Sequence, residues 1–296
     1  MAQITARANR VFNTNPPGGD RRLSINGPNW LWAVTALFLF CFLIVVLLAI
    51  RPRHRERVFH YIWAIPLLVG ALAYYAMASD LGWLAIRQSL HTSRGITRQI
   101  FWPKYVYWTV SFPAAILALG ILSGVAWATM AYGIALSWIW VVSYLIAAFT
   151  PTRYKWGFFG IGTLAWLVLF IGTFTHGRRI AARNGVGGHF SLLSGWLHLL
   201  WLLYPIAWGL SDGGNVIGVT ASFIFFGILD VLLIPVLTFT VIGLSKKWDY
   251  ARLGLHFTRH GRGYTGPYDE KHEAPPTAGE AAAPATTQIP SSTTQA

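Results

Sequence analysis

Side chains able to carry acid–base chemistry are sparse in the apolar parts of this chain. Asp230 is the one acidic residue that we place within an apolar stretch, in the run at residues 226–241. An ionised carboxylate is costly in hydrocarbon, so Asp230 must be paired, hydrated or protonated. Its expected partners are Lys104, Tyr107 and Tyr204. The sequence therefore predicts a buried polar cluster of these four residues.

Other reactive groups form no recognisable site. The single cysteine, Cys41, lies inside an apolar run, which excludes a disulfide framework and a thiolate metal cluster. The sequence has no phosphate-binding loop, metal-ligand cluster or nucleophile with a base at motif spacing, so we expect neither an enzyme nor a metal site. His198 lies three residues before Trp201, and we expect it to bond a carbonyl or hydroxyl group inside a helix bundle.

Composition places these residues in a membrane protein. Hydrophobic residues make up 54% of the chain and charged residues only 11%, a balance outside that of ordinary soluble domains. Seven apolar stretches are long enough to cross roughly 30 Å of hydrocarbon as helices. They lie at residues 30–50, 58–79, 101–122, 126–148, 156–175, 190–210 and 216–244. The predicted fold is an all-α membrane protein with a bundle of seven transmembrane helices joined by short loops.

Basic residues predict the orientation of the bundle. They are concentrated after the first, fifth and seventh spans, at residues 51–57, 178–183 and 246–262. The positive-inside rule then places the amino terminus outside and the carboxyl terminus in the cytoplasm. The formal net charge of +13 is therefore a topology signal that can also attract anionic lipid headgroups, and we expect no nucleic-acid partner.

Four regions follow from these spans. We predict an extracellular tail at residues 1–29, a transmembrane domain at 30–244, a basic juxtamembrane segment at 245–264 and a disordered cytoplasmic tail at 265–296. The last has few large apolar residues with which to offset the entropy of ordering. The segment at 245–264 is interpreted as an anchor at the membrane interface, with docking of a partner protein as the alternative.

Several runs carry a family resemblance. RQIFWPKYVYWTVSFPAAILALGILSG at 98–124 resembles the third helix of the fungal branch of the microbial rhodopsins, and FGILDVLLIPVLTFTV at 226–241 resembles the last helix of the seven-helix retinal proteins. MASDLGW at 77–83, RYKWG at 153–157 and WLLYPIAW at 201–208 are similar to the fungal branch as well. The resemblance covers all seven spans and implies a bundle of the microbial rhodopsin type.

Carried over residue by residue, the resemblance implies a vestigial retinal pocket. Its residues are Trp108, Ser111, Pro113, Trp201, Tyr204, Pro205, Trp208, Asp230 and Ile234. The resemblance also implies that Tyr204 and a tyrosine of the second helix, either Tyr74 or Tyr75, hydrogen-bond Asp230.

Three positions depart from the photoactive members of that family. Tyr107 stands at the proton-acceptor carboxylate, Ala118 at the donor carboxylate, and Ile234 at the lysine that binds retinal as a Schiff base. An alkyl side chain has no nucleophilic nitrogen, and a phenol with a reference pKa of about 10 is neutral at physiological pH. We therefore expect no covalently bound retinal, no light-driven proton pumping and no other cofactor.

The departures are similar to those of the opsin-related proteins of fungi, including the heat-shock-type plasma-membrane proteins of yeasts. That resemblance implies a stress-linked regulator or chaperone-like scaffold in the plasma-membrane bilayer, with a proton-pumping ATPase or another membrane protein as the partner at its cytoplasmic face.

Two alternatives stay open. One is a non-covalent sensor of an apolar ligand such as a retinoid, sterol or lipid. The other is a retinal-independent proton or ion conductor. We favour a pocket filled by Phe112, Leu232, Leu233 and Ile234, because protein interiors tolerate few voids, and a polar cluster that fixes helix packing without conducting.

Overall fold

The computed structural model describes residues 11–50, 57–248 and 250. The predicted cytoplasmic tail at 265–296 lies outside the described residues. So do the first ten residues of the predicted amino-terminal tail and most of the basic segment at 245–264.

Seven helices in the described part of the chain are long and apolar enough to span a membrane, which confirms the predicted architecture. A short helix α1 (Val11–Thr14) precedes them. The first four spans are α2 (Gly27–Leu48), α3 (Val58–Ala78), α4 (Pro103–Ser123) and α5 (Trp127–Phe149), and the last is α9 (Val219–Ser245). The fifth span joins α6 (Lys155–Gly172) to α7 (Arg178–Arg183), and the sixth begins with α8 (Gly187–Trp208).

Two π-helical segments make the fifth and sixth spans longer than the sequence predicts. Thr173–Gly177 connects α6 to α7, so that the fifth span runs over Lys155–Arg183. Gly209–Gly213 continues α8, so that the sixth span runs over Gly187–Gly213. The predicted ends at residues 175 and 210 are therefore too early. The second extension matters most, because it carries Asp212 into the bundle.

A β-hairpin between α3 and α4 replaces the short loop expected there. Strand β1 (Trp83–Arg87) pairs antiparallel with β2 (Thr97–Phe101), with Trp83 opposite Phe101. Strand β2 is the buried one, and its Arg98 side chain is fully enclosed. The hairpin thus brings a cation that the sequence assigns to a loop into the end of the bundle.

The amino-terminal segment is hydrogen-bonded to this hairpin. The Arg21 amide donates to the Thr97 carbonyl (3.0 Å), and the Gln99 amide donates to the Arg21 carbonyl (2.8 Å). The Asp20 carboxylate accepts hydrogen bonds from the backbone and hydroxyl of Thr97 and from the Ile96 amide, and these bonds lower the pKa of Asp20. We call the end of the molecule that carries the hairpin the hairpin end.

Asp80, two residues after α3, takes part in the hydrogen bonds between the hairpin and the amino-terminal segment. The Gln99 side-chain amide donates to Asp80 Oδ1 (2.8 Å) and accepts from the Leu23 amide (2.9 Å). Asp80 is 2% exposed, and its other carboxylate oxygen has no hydrogen-bond partner among the described residues. Burial accordingly raises the pKa of Asp80 to about 6, although the bond from Gln99 opposes the shift.

Asp80 therefore gives the fold a pH dependence. The folded protein binds this proton more tightly than the unfolded chain, so the stabilisation is present at low pH and is lost as the pH rises through about 6. In thermal unfolding between pH 5 and pH 8, we expect the melting temperature of wild type minus that of Asp80→Asn to increase as the pH falls below 6. Asparagine tolerates the positive backbone φ of 54° at this position. A difference independent of pH would contradict this assignment.

Candidate functional site

Helix α9 places Asp230 at the centre of the bundle, where it is fully buried. Its carboxylate accepts hydrogen bonds from the hydroxyls of Tyr74 (2.5 Å) and Tyr204 (2.6 Å) and from the indole of Trp108 (3.1 Å). The expected bond from Tyr204 is present. Of the two candidate tyrosines in the second span, it is Tyr74 that binds, because Tyr75 is 54% exposed on the other side of α3. All three donors to Asp230 are neutral groups.

Lys104 does not pair with Asp230, contrary to the sequence-based expectation. Its ammonium group forms an ion pair with the Asp212 carboxylate instead, and the Lys104 nitrogen lies 4.8 Å from the centroid of the Phe226 ring. The physical reason is the π-helical extension of α8, which turns Asp212 inward at the hairpin end. Asp212 lies within the sixth span, so the prediction that Asp230 is the one acidic residue within a span is also wrong.

Asp212 is the centre of a second buried polar group. It is 1% exposed and accepts a hydrogen bond from the Tyr105 hydroxyl (2.8 Å), which in turn accepts from the Trp208 indole (2.9 Å). Nε of Arg98 lies 3.5 Å from Asp212 Oδ1. The network ties α4 to the end of the sixth span.

A third buried cation reaches the same place from α6. The ammonium of Lys155 donates to the backbone carbonyl of Asp212 (3.1 Å) and to the side-chain oxygen of Gln88 (3.3 Å). Arg98 donates further to the Ile217 carbonyl (2.7 Å). We refer to Asp212 with Arg98, Lys104, Lys155 and Tyr105 as the Asp212 cluster.

Sequence reasoning missed the Asp212 cluster for an identifiable reason. Arg98 and Lys155 flank the predicted spans and count there as topology signals, while Asp212 lies in the Gly-rich run SDGGN, which has the composition of a loop. A signal that could have indicated the cluster is the spacing from Trp208 to Asp212, which is one helical turn beyond the predicted pocket.

The remaining carried-over positions are mostly buried but do not join either carboxylate. Tyr107 is fully buried and packs edge-on against Phe38, with ring centroids 5.6 Å apart, and it makes no hydrogen bond to Asp230. Ser111, Ala118 and Ile234 are also buried, whereas Pro113 and Pro205 are half-buried inside α4 and α8. The expected cluster of Lys104, Tyr107, Tyr204 and Asp230 therefore reduces to Tyr204 and Asp230, supplemented by Tyr74 and Trp108.

Aromatic rings fill the region that the resemblance assigns to retinal. The Phe112 ring centroid lies 4.9 Å from that of Trp140, 5.1 Å from that of Trp201 and 5.3 Å from that of Tyr204. It also stacks on Trp108 at 6.1 Å. This packing agrees with the expectation that Phe112 occupies the pocket. Leu233 and Ile234 on α9 are fully buried, whereas Leu232 is half-buried and its carbonyl accepts a hydrogen bond from the Trp196 indole.

His198 differs from its expected role. It is 3% exposed, and neither ring nitrogen has a hydrogen-bond partner among the described residues. Its ring is surrounded by aromatic rings, with centroids 5.3 Å from Phe170, 5.5 Å from Phe174 and 5.2 Å from Trp201. Hydrophobic and edge-to-face contacts hold this histidine. No group of three or more potential metal ligands occurs within the described ranges.

Seven membrane-spanning helices, with the carboxylates of Asp212 and Asp230 buried among them, define an integral multi-pass membrane protein. Residues 28–241 match the model of the family described as bacteriorhodopsin-like protein. Protein FDD123 of Trametes versicolor is 35% identical over 94% of this chain and 96% of its own length. The opsin-like protein carO of Fusarium fujikuroi is 33% identical over 85% of this chain and 86% of its own length. The 30 kDa heat shock protein of Saccharomyces cerevisiae is 31% identical over 83% of this chain and 81% of its own length.

The fold is also that of a solved light-driven pump. The crystal structure of the light-driven proton pump LR (Mac) from Leptosphaeria maculans has a TM-score of 0.72 and 28% identity, over 77% of this chain and 97% of that chain. The chain therefore belongs to the bacteriorhodopsin-like family, and its relatives include fungal opsin-like and heat-shock membrane proteins.

Proposed function

We propose that this chain is a non-photoactive opsin-like membrane protein that acts as a stress-linked regulator or chaperone-like scaffold at the plasma membrane. In this proposal it is not an enzyme, does not bind retinal covalently and does not pump protons with light. Its amino terminus lies outside and its carboxyl terminus in the cytoplasm.

The observation that carries the proposal is the chemistry around Asp230. The residue one turn further along α9 is Ile234, which offers no amine, and α9 contains no lysine at all. Lys104 and Lys155, the lysines that are buried in the described part of the chain, contact Asp212 instead. A covalent pigment needs a free amine beside the pocket. The packing of the Phe112 ring against Trp140 and Trp201, in the region that the resemblance assigns to retinal, supports the same proposal.

The relatives support the proposed role in stress. One is an opsin-like protein and another a 30 kDa heat shock protein, each similar over more than four fifths of this chain. A site that has lost its reactive groups but kept its scaffold favours a role through surfaces over a role through chemistry. The surface that we propose is the end opposite the hairpin, where α7 carries Arg178, Arg179 and Arg183 and where Lys246 and Lys247 follow α9.

Co-purification tests the proposed partner. Affinity purification of the full chain from a fungal plasma membrane after heat stress is expected to recover the proton-pumping ATPase. Removal of residues 245–296 should lower its recovery to background, because this deletion takes away the basic segment and the tail that follow the last span.

Two further variants separate the effect of the basic charges from the effect of shortening the chain. Removal of residues 265–296 alone keeps the basic segment, and we expect it to retain most of the ATPase. Neutralisation of Lys246, Lys247, Arg252, Arg259 and Arg262 by glutamine in the full chain should reproduce the longer deletion if charge mediates the contact. Equal ATPase recovery with all variants, or none with the full chain, would exclude the proposed partner surface.

A further inference from the structure

A cavity lies in the half of the bundle away from the hairpin end. It has a volume of about 260 Å³ and is enclosed by the end of α4, the start of α5, the end of the α6 span and the start of α8. Its inner wall is made by buried side chains, among them Trp201, Leu197 and Met130. This cavity is distinct from the filled region around Phe112, although Trp201 contacts both.

The cavity opens on the outer surface of the bundle between α5 and α6. Tyr132 and Val168, which line it, are 59% and 36% exposed, and Gly172 is exposed as well. A side chain added at Gly172 would meet no atom within 4 Å. Because these helices span a membrane, the surface around the opening faces lipid hydrocarbon.

The lining chemistry selects an apolar occupant. Ile116, Leu119, Leu136 and Leu169 are typical of its walls. Because the lining is mainly apolar, the cavity offers few of the two to four polar partners that an ordered water needs. A volume of about 260 Å³ is below the roughly 300–1,000 Å³ usual for pockets that enclose a drug-sized ligand. It suits part of a fatty-acyl chain better than a fused-ring molecule.

Positive charge next to the cavity favours a lipid with an anionic headgroup. Gly177 is the last lining residue of the fifth span, and the exposed Arg178 and Arg179 follow it directly. His176 lines the cavity one residue earlier. Adjacent cations at the end of a membrane span attract the phosphate and carboxylate groups of anionic lipids.

We propose that this cavity binds one acyl chain of an anionic phospholipid, whose headgroup lies against Arg178 and Arg179. The site is independent of the proposed regulatory function and of the position that the resemblance assigns to retinal. It would make the protein selective for the lipid composition of the leaflet at this end of the bundle.

Photocrosslinking of the full chain in nanodiscs tests the acyl-chain site. The probe is phosphatidylserine with a diazirine on its acyl chain, and saturable labelling of one lipid per chain on α4 and α8 peptides is expected. Gly172→Leu should lower this labelling about tenfold by filling the opening. Gly160→Leu is the matched control, because Gly160 lies on the same helix, also has no atom within 4 Å of an added side chain, and does not line the cavity.

A second arm tests the headgroup. Phosphatidylcholine with the same diazirine chain should label the wild type several-fold less than phosphatidylserine, and Arg178→Gln with Arg179→Gln should abolish that preference. Arg22→Gln with Arg87→Gln makes the same charge change on exposed residues in the amino-terminal segment and the hairpin. This control should leave the preference for phosphatidylserine intact. The proposal is overturned by undiminished labelling of Gly172→Leu, by labelling that does not saturate, by equal labelling with both headgroups, or by full competition from a sterol.

Discussion

Asp212→Asn is expected to destabilise the protein by about 3–5 kcal/mol, the usual cost of breaking a buried ion pair. The asparagine would leave the enclosed ammonium of Lys104 and guanidinium of Arg98 without their carboxylate. It would also weaken the link from Tyr105 to Trp208. Thermal or denaturant unfolding in detergent, followed by circular dichroism, measures this loss.

Asp230→Asn is the matched comparison, because both carboxylates are enclosed but only Asp212 contacts cations directly. Asp230 receives its bonds from two hydroxyls and an indole, so a neutral amide can keep part of that network. We expect the Asp230 variant to lose less than half as much stability as the Asp212 variant. The opposite order would mean that Lys104 relies on Asp230, as the sequence alone suggests.

A compensating change identifies the charge that causes the loss. In Asp212→Asn, a further Lys104→Met substitution removes the ammonium left without a partner. Because a buried pair can often be replaced by apolar groups at little cost, we expect the double variant to recover at least about 1 kcal/mol of the loss. A double variant less stable than the single one would exclude the unpaired ammonium as the cause.

The second large effect is expected when the missing amine is restored. Wild type incubated with all-trans retinal should form no adduct that survives borohydride reduction. Ile234→Lys places an amine one turn from Asp230, yet we expect at least about tenfold less pigment from this variant than from Ile234→Lys combined with Phe112→Ala. Absorbance in the visible range and the mass of the reduced protein measure the yield.

The physical reason is the packing of Phe112 among Trp140, Trp201 and Tyr204. Truncation to alanine removes the ring that fills this space, at a cost of about 3–5 kcal/mol in a packed core. Phe112→Ala alone and Ile234→Met with Phe112→Ala are the controls that open the space without an amine. Equal pigment from Ile234→Lys with and without the Phe112 change would show that the ring does not obstruct the pocket.

The seven spans follow from hydropathy, because each apolar stretch is long enough on its own to cross a bilayer. The two π-helical segments do not, since their hydrogen-bond register depends on packing that local composition does not encode. The same limit explains Asp212. A Gly-rich run after an apolar stretch has the composition of a loop, and only the continued helix shows that its carboxylate points inward.

The partners of Asp230 show what sequence can and cannot decide. The resemblance indicated a tyrosine of the second span but left Tyr74 and Tyr75 open. Neighbouring residues on a helix are separated by about 100°, so the rotation of α3 against α9 decides between them. The partner of Lys104 is a related case, because its pairing with Asp212 depends on where the sixth span ends.

The hairpin end also dictates an order of events during biosynthesis. Arg21 hydrogen-bonds the carbonyl of Asn215, and Arg98 bonds that of Ile217, so this end unites parts of the chain 194 and 119 residues apart. A nascent polypeptide emerging from the ribosome has its first helices in the bilayer long before these carbonyls are synthesised. Arg21 and Arg98 therefore gain these two bonds only after residues 215–217 have been synthesised, which makes the hairpin end one of the late parts of the bundle to form.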